Sequence, residues 1–209
     1  MLRLISLSIL LVLATLSTRG LSVPSTTNDD FVSLFDGKSL KGWHGDKRLW
    51  KVQDGVIVGT SDGSLKSNTF LISDHSYENF VLKISFQLEG NNSGVQFRSS
   101  ELDDYGVRGY QADIAPEYWG LLYEEKGRGI LQKPQTAVLR QALVKPEGWN
   151  DYVITAHGNH IEMKLNGTTV VRYEEKQSDI PSKGILALQL HTGDAMKARF
   201  KNIQIKKLD

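Results

Sequence analysis

The sequence predicts an all-β domain, a two-sheet antiparallel β-sandwich of the jelly-roll type. From Phe31 onward, apolar and polar residues alternate with a period of two in most of the chain, and this alternation is typical of strands with one buried face. No window of about 12 residues carries the apolar stripe of an amphipathic helix. The 19 glycines mark turns between at least about eight short β-rich segments, a number that suits a sandwich.

The first 30 residues are expected to lie outside this domain. An uncharged, apolar stretch, Leu4–Thr18, follows Arg3 and is shorter than the roughly 20 residues that span a bilayer as a helix. We therefore expect residues 1–22 to be a signal peptide and residues 23–30 a polar linker. Export to the periplasm or the extracellular space of a bacterium is the expected location, and residues 31–209 are expected to form the single domain.

Strand and turn signals follow one another along this domain. The segment Phe80–Leu88 places five apolar side chains on one face and Lys, Ser and Gln between them, so it predicts a half-buried antiparallel strand. The dipeptides Asp54-Gly55 and Asn166-Gly167 separate apolar runs and suit two-residue hairpin turns with positive φ. Further strands are predicted in three segments: Tyr152–His157, Ile185–His191 and Met196–Ile205.

Composition excludes several classes of function. The 25 Lys and Arg residues balance 24 Asp and Glu residues, which leaves a net charge of +1, and no basic cluster predicts a nucleic-acid partner. The absence of cysteine excludes disulfides, thiol nucleophiles and Cys-ligated metals. Nothing after the N-terminal segment resembles a membrane span, so no membrane partner is expected once the signal is removed.

Three predicted strands carry unusual residues on their second face. Their polar positions hold planar hydrogen-bonding side chains rather than the Lys, Glu, Ser and Thr of a solvated face. These positions are Gln96 and Arg98, Gln111 and Asp113, and Gln189 and His191. A wall of fixed planar groups with aromatic rings beside it suits a sugar. We therefore predict that the six residues share one face, with Trp119 and Tyr123 from the following segment covering the sugar.

Each of these residues has a structural alternative. Gln96 and Gln111 can satisfy one another across neighbouring strands, and Arg98 can form an ion pair with Asp113. A lone histidine such as His191 is more often structural than reactive. The segment Pro116–Gly129 has the composition of a binding loop, although an ordinary long connection is the alternative. No serine-nucleophile elbow, zinc-protease motif or calcium loop is present.

The order and spacing of several motifs resemble one family, the DUF1080 proteins, also called 3-keto-disaccharide hydrolases, which are similar in fold to concanavalin A-like lectins and glucanases. The motifs are Phe31–Trp43, Trp50–Ile57, Gly90–Arg98, Gly109–Ile114, Trp119–Glu124, Trp149–Asn150 and Ile185–His191. The resemblance implies an exported, sugar-active jelly-roll domain, with cleavage of 3-keto-glycosides in some members. It also points to Arg98, Gln111, Asp113 and His191 as site residues.

Such cleavage requires a base and a positive group. A ketone at carbon 3 acidifies the carbon 2 proton, so the glycosidic bond can break by elimination and water can then add at carbon 1. Since an imidazole titrates near neutral pH, His191 is the first candidate for the base, with Asp113 and Glu124 as competitors. The developing enolate would be stabilised by Arg98 and Arg128, or by a divalent cation held by Asp113, Glu124 and His191. No cofactor is certain.

The remaining polar and aromatic candidates would bind a small carbohydrate substrate. They are Gln96, Gln111, Trp119, Tyr123, Arg128 and Gln189. The alternative from another class is a non-catalytic, lectin-like carbohydrate-binding module, which needs the same wall but no reactive base. Three ionisable groups in one cleft favour the enzyme, whereas an aromatic platform without them favours the module.

Overall fold

A computed structural model describes residues 30–134 and 143–209 of the chain. The predicted signal peptide (residues 1–22) and all but the last residue of the predicted linker (residues 23–30) lie outside the described residues. The strands are β1 (Val32–Ser33), β2 (Trp43–His44), β3 (Trp50–Gln53), β4 (Val56–Ser61), β5 (Thr69–Tyr77), β6 (Phe80–Gly90), β7 (Ser93–Glu101), β8 (Val107–Ile114), β9 (Leu122–Glu125), β10 (Gly129–Gln132), β11 (Asn150–His157), β12 (His160–Leu165), β13 (Thr168–Glu174), β14 (Gly184–Leu190) and β15 (Met196–Lys207). A 3₁₀ turn, Asp103–Tyr105, lies between β7 and β8.

The strands form two antiparallel sheets, and this confirms the predicted fold class. Sheet I has the order β13-β12-β11-β6-β15-β4-β3, with β1 added beside β15, and sheet II has the order β10-β9-β8-β7-β14-β5-β2. Consecutive strands such as β4 and β5 lie in different sheets, as a sandwich with crossing connections requires. In the described part of the chain, no helix is long and apolar enough to cross a bilayer.

The local signals with the clearest periodicity are confirmed. β6 alternates buried and partly exposed residues over most of its length and lies between β11 and β15 in the middle of sheet I. Both predicted hairpins are present, β3–β4 and β12–β13. Their turn residues Asp54 and Gly55 have φ of 53° and 76°, and Asn166 and Gly167 have 48° and 83°, which is the left-handed geometry of a two-residue hairpin turn.

The core fills the space between the two sheets and is rich in aromatic rings. Phe86 of β6 lies 4.8 Å from Tyr152 and 6.2 Å from Trp119, centroid to centroid. Phe97 of sheet II contacts Phe80 of sheet I at 6.4 Å. Each such ring is buried to 8% exposure or less, and truncating one to alanine costs about 3–5 kcal/mol in typical cores. This packing fixes the positions of β7, β8 and β14, which carry the polar face.

Candidate functional site

The polar face of sheet II is built from side chains that point away from the core. On β8, Tyr110 and Ala112 belong to the core, so alternation places Gln111 and Asp113 on the opposite face. Gln96 on β7 stands directly across from Gln111. Its Nε2 donates to Gln111 Oε1 at 2.7 Å, and Gln111 Nε2 donates to Asp113 Oδ1 at 2.6 Å. The predicted hydrogen bond between the two glutamines is therefore present, and Gln111 also donates a hydrogen bond to Asp113.

Glycine at position 94 makes room for this arrangement. Gly94 lies on β7 across from Asp113. A Cβ at this position would lie 2.4 Å from Gln111 Cδ and 2.7 Å from its Nε2. Because the Gln111 amide is held by hydrogen bonds at both ends, it has no other position to take without losing one of them. Any side chain at position 94 would consequently disturb the partner of Asp113.

Asp113 lies in the wall of a cleft of about 290 Å³. The lining side chains come from five parts of the chain and include both charged and aromatic groups. They are Asn68, Asn92, Gln111, Asp113, Tyr118, Leu121, Tyr123, Glu125, Ile130 and His191. The cleft therefore brings together Asp113, Gln111, Tyr123 and His191 from the set that the sequence predicts.

Burial gives Asp113 an unusual affinity for its proton. The residue is 5% exposed, and this desolvation raises the pKa of its carboxyl to about 7, with a further upward contribution from Glu125 and a downward one from the Gln111 hydrogen bond. A carboxyl that titrates near neutral pH at the edge of a cleft can either donate or accept a proton during a reaction.

His191 lies just after β14 and has a defined tautomer. Its Nδ1 is 2.6 Å from the carbonyl oxygen of Thr192. Since a carbonyl oxygen only accepts hydrogen bonds, Nδ1 carries the proton in the neutral ring and Nε2 has a free lone pair. The ring is thus oriented by the backbone of Thr192 and not by Asp113. His191 Nε2 is nevertheless a base in the same cleft as Asp113.

The cleft also contains an acidic residue that the sequence analysis missed. Tyr123 pairs with Gln111 across β8 and β9, so alternation puts Glu125, and not Glu124, on the cleft side. Asn68 Nδ2 donates to Glu125 Oε1 at 3.1 Å, and Asn68 Oδ1 accepts from the Thr192 N–H at 3.0 Å. Asn68 thereby joins the Glu125 side of the cleft to the His191 side. The same alternation that predicted the polar face also places Glu125, two residues after Tyr123, on the cleft side of β9.

Arg98 is absent from the cleft, contrary to expectation. The pairing of β7 with β8 slips between Phe97 and Ser100, and Arg98 has a φ of 48°, so the alternation that predicted its direction ends there. Its guanidinium instead donates to the carbonyl oxygens of Glu78 and Gly158 at 2.8 and 2.7 Å. Arg98 therefore ties β7 to the β5–β6 connection between the sheets and to the β11–β12 turn of sheet I, and it forms no ion pair with Asp113.

Glu124 and Arg128 are also placed elsewhere. Glu124 pairs with Tyr110 across the strands and bonds to Arg128, whose Nη2 reaches Glu175 Oε2 at 2.7 Å. Tyr110 Oη donates to the same carboxylate at 2.6 Å. Although burial opposes it, these donors hold the pKa of Glu175 at about 2. The cluster is a structural ion network on the core-side face, away from Asp113.

The predicted cation site is therefore not assembled as expected. Glu124 lies on the opposite face from Asp113, and within residues 30–134 and 143–209 no three His, Asp or Glu side chains are arranged to hold an ion. The physical reason is the alternation along β9, which separates neighbouring acids.

Three predicted sugar contacts are core or subsurface residues. Trp119 is buried and stacks on Phe86, so it belongs to the core. Gln96 and Gln189 are fully buried and cannot touch a ligand. Gln189 Oε1 lies 3.4 Å from Gln111 Nε2, and its own Nε2 has no partner among the described residues. The aromatic wall of the cleft consists of Tyr118 and Tyr123 instead.

Comparisons with known proteins give a consistent result. Residues 30–206 match the family model of the 3-keto-alpha-glucoside-1,2-lyase-like domain. A curated 3-keto-disaccharide hydrolase of Bacteroides thetaiotaomicron is 30% identical over 170 residues, which cover 69% of this chain and 59% of that protein. The chain thus spans less than two thirds of that relative.

Two solved structures show the same fold. A candidate glycosyl hydrolase of Parabacteroides distasonis superposes with a TM-score of 0.66 at 24% identity, over 88% of this chain and 98% of that one. The carbohydrate-binding module CBM66 of Bacillus subtilis superposes with a TM-score of 0.61 at 18% identity, over 79% and 96% of the two chains. The fold is therefore shared by proteins named as enzymes and as binding modules.

Proposed function

Because the chain belongs to the 3-keto-alpha-glucoside-1,2-lyase-like family, we propose that it cleaves 3-keto-glycosides in the cleft that holds Asp113 and His191. The observation that carries this proposal is the meeting of a carboxyl of pKa about 7 with a histidine whose Nε2 is free, in one cleft. A base and an acid at this position are what elimination across carbons 1 and 2 needs.

The proposed reaction has two steps. In the first, a base removes the carbon 2 proton, the electron pair of that bond forms the carbon 1–carbon 2 double bond, and the glycosidic oxygen departs as an alcohol after taking a proton. In the second, water adds to carbon 1 and carbon 2 regains a proton, so the sum is hydrolysis. The ketone at carbon 3 makes the first proton acidic, and for this reason the paired carboxylates of an ordinary glycosidase are not needed.

We assign the base to His191 and the proton donor to Asp113. Nε2 of His191 has its lone pair available, because Nδ1 is held by the Thr192 carbonyl. Asp113 keeps its proton at near-neutral pH because it is buried and lies close to Glu125. In the second step the roles reverse: Asp113 takes a proton from water, and His191 returns its proton to carbon 2.

The cleft also offers groups that would hold a sugar. Its volume of about 290 Å³ is at the small end of ligand pockets and suits one or two sugar rings. Asn92 also lines the cleft, and its side-chain amide can exchange hydrogen bonds with sugar hydroxyls. Tyr118 and Tyr123 can cover the apolar face of the ring.

The experiment that tests this proposal compares oxidised and unoxidised substrates. Purified protein is incubated in D₂O with 3-keto-glucosides and with the matching glucosides, and products are followed by NMR. We expect cleavage of the keto-sugars alone, with deuterium incorporated at carbon 2. Cleavage without deuterium would contradict elimination, and binding without cleavage would favour the carbohydrate-binding module.

Neighbouring glutamates supply a matched pair of variants. Glu125→Gln removes the charge that faces Asp113, so the pKa of Asp113 falls and less of it is protonated at neutral pH. We expect slower turnover, with the basic limb of the pH profile shifted downward. Glu124→Gln changes an acid one residue away that belongs to the ion network, and the elimination step should keep the wild-type pH profile. If Glu124→Gln changed the pH profile and Glu125→Gln did not, the site would instead lie on the face of sheet II that carries Glu124.

Export remains part of the proposal and depends on residues 1–22. The apolar stretch after Arg3 supports a signal peptide. Expression of the full chain in a bacterium, followed by fractionation and intact-mass measurement, should give a periplasmic or secreted protein that lacks about 22 residues. An unprocessed protein in the cytoplasm would contradict this part.

A further inference from the structure

Behind Asp113, a line of hydrogen-bonded side chains runs through sheet II away from the cleft. Ser99 Oγ lies 2.8 Å from Gln96 Oε1, Gln96 Nε2 lies 2.7 Å from Gln111 Oε1, and Gln111 Nε2 lies 2.6 Å from Asp113 Oδ1. All four residues are 5% exposed or less. Buried polar groups in such a line are costly unless every donor finds an acceptor.

The direction of these hydrogen bonds is fixed when Asp113 is ionised. A carboxylate only accepts, so Gln111 must present its NH₂ group to Asp113 and its carbonyl to Gln96. Gln96 must then present its own NH₂ group to Gln111 and its carbonyl to Ser99. The Ser99 hydroxyl supplies the last proton, so each side chain in the line has a hydrogen-bonding partner.

The opposite direction keeps the line of hydrogen bonds intact when Asp113 is protonated, provided that Gln189, which accepts from Gln111 Nε2 at 3.4 Å and whose own Nε2 has no partner among the described residues, turns over with Gln111. The carboxyl O–H then donates to the Gln111 carbonyl, and both amides turn over, which exchanges two groups of nearly the same size. Gln96 donates to Ser99 Oγ, whose hydroxyl needs a new acceptor. The structure provides one, because the Phe97 carbonyl oxygen lies 3.0 Å from Ser99 Oγ and that of Tyr110 lies 3.4 Å away.

We propose that Ser99, Gln96 and Gln111 form a reversible relay, a set of positioning residues that satisfies Asp113 in both of its protonation states. The proposal rests on the proposed function, in which Asp113 gives a proton in the first step and takes one in the second. A fixed hydrogen-bond donor would favour the carboxylate alone, and a fixed acceptor would favour the acid alone. The relay lets one buried carboxyl serve both steps without breaking its hydrogen bond to Gln111.

The surroundings of the relay support this role. A Cβ at Gly94 would overlap Gln111, and one at Gly109 would lie 2.5 Å from Ser99 Oγ, so the neighbouring backbone packs directly on the relay. The ionisable groups that face Asp113 are on the cleft side: Glu125 from β9, His191 after β14, and the phenols of Tyr118 and Tyr123. The inner side of Asp113 is occupied by Gln111.

The proposal predicts that the two amides respond when Asp113 titrates. Side-chain ¹⁵N signals of Gln111 and Gln96 should change with the same midpoint as the Asp113 carboxyl ¹³C signal. Asn92 is the internal control, because its amide lines the same cleft as Asp113 but lies outside the line, so a simple field effect would move its signal at least as much as that of Gln96. Equal responses of Gln96 and Asn92, or a flat Gln96 signal, would overturn the relay.

Two serines give a matched pair of variants. Ser99→Ala removes the end of the relay, whereas Ser93→Ala removes another buried hydroxyl, which donates to the Gln189 carbonyl at 2.8 Å. We expect Ser99→Ala to lose most of the Gln96 response and to slow turnover about tenfold, as expected for the loss of about one buried hydrogen bond. Ser93→Ala should keep the Gln96 response and turnover within about twofold.

The two readouts separate this inference from the proposed function. If the amide signals follow Asp113 but the protein cleaves no 3-keto-glycoside, the relay is supported and the proposed reaction is contradicted. If turnover gives the expected deuterium label but the Gln96 amide signal does not change, the reaction is supported and the relay is contradicted. Equal effects of Ser99→Ala and Ser93→Ala on the Gln96 signal would also remove it.

Discussion

Replacing Asp113 by asparagine should remove activity and make the protein more stable at alkaline pH. Asparagine is nearly the same size, and its carbonyl oxygen can still accept the hydrogen bond from Gln111 Nε2. It has no proton to give at neutral pH, so turnover should fall by about 10²-fold or more. The gain in stability follows from the removal of a carboxylate that is buried almost completely.

The size of the stability effect follows from the pKa of Asp113. Burial raises this pKa from 3.8 to about 7, so the native protein binds the proton more tightly than the unfolded chain does. The stabilisation from this proton is complete below pH 3.8, is lost as the pH rises through 7, and is absent above that. At about 1.4 kcal/mol per pH unit, ionised Asp113 costs the native state up to about 4 kcal/mol.

Unfolding in guanidinium chloride at pH 4, 6 and 8 would measure this effect. We expect the free energy of unfolding of Asp113→Asn to exceed that of the wild type by a few kcal/mol at pH 8 and to match it roughly at pH 4. Asp151→Asn, on the exposed side of sheet I, controls for the same exchange at a solvated position. A constant difference at all three pH values, or a less stable variant at pH 8, would refute the argument.

The remaining predictions concern a glycine, a core ring and a surface histidine. Gly94→Ala should destabilise the protein by about 1–3 kcal/mol, measured by denaturant unfolding, because its Cβ would overlap Gln111. Trp119→Ala should cost about 3–5 kcal/mol of stability. Unchanged stability together with weaker sugar binding would show that this ring contacts the sugar and is not a core residue. Burial opposes it, but hydrogen bonds from His44 to Asp74 and Glu101 raise the pKa of His44. His44→Gln should therefore lower the free energy of unfolding at pH 5.5 more than at pH 8.5, by less than about 1 kcal/mol because the group is exposed, and denaturant unfolding at the two pH values measures it.

The parts of the fold that could be predicted are those that local chemistry decides. The alternation in Phe80–Leu88 survives in the structure because β6 is paired at both edges, with β11 from Phe80 to Phe86 and with β15 from Phe80 to Gly90. The hairpins at Asp54-Gly55 and Asn166-Gly167 were predictable because these residues tolerate positive φ at low cost. The sheet order depends on contacts between distant segments, which single-segment periodicity does not contain.

The site could be predicted only as far as the register was regular. Gln111 and Asp113 lie where alternation put them, because β8 pairs without interruption from Gly109 to Ala112 with β9. Arg98 points elsewhere, because the pairing of β7 with β8 slips after Phe97. This slip could not be predicted, since arginine is not a residue that signals positive φ. The choice between Glu124 and Glu125 depended on one residue of register, which reverses the face of a side chain.

The placement of the arginines has a consequence for the proposed chemistry. Arg98 is bonded to the backbone of Glu78 and Gly158 and Arg128 to two glutamates, so the described lining of the cleft contains no guanidinium. The negative charge that develops on the enolate must then be met by another group. His191 becomes an imidazolium when it takes the carbon 2 proton, and this places a positive charge beside the enolate at the moment of its formation. Base and counter-charge would thus be the same side chain, so that the described lining of the cleft, with its acids, amides and phenols, could support the reaction.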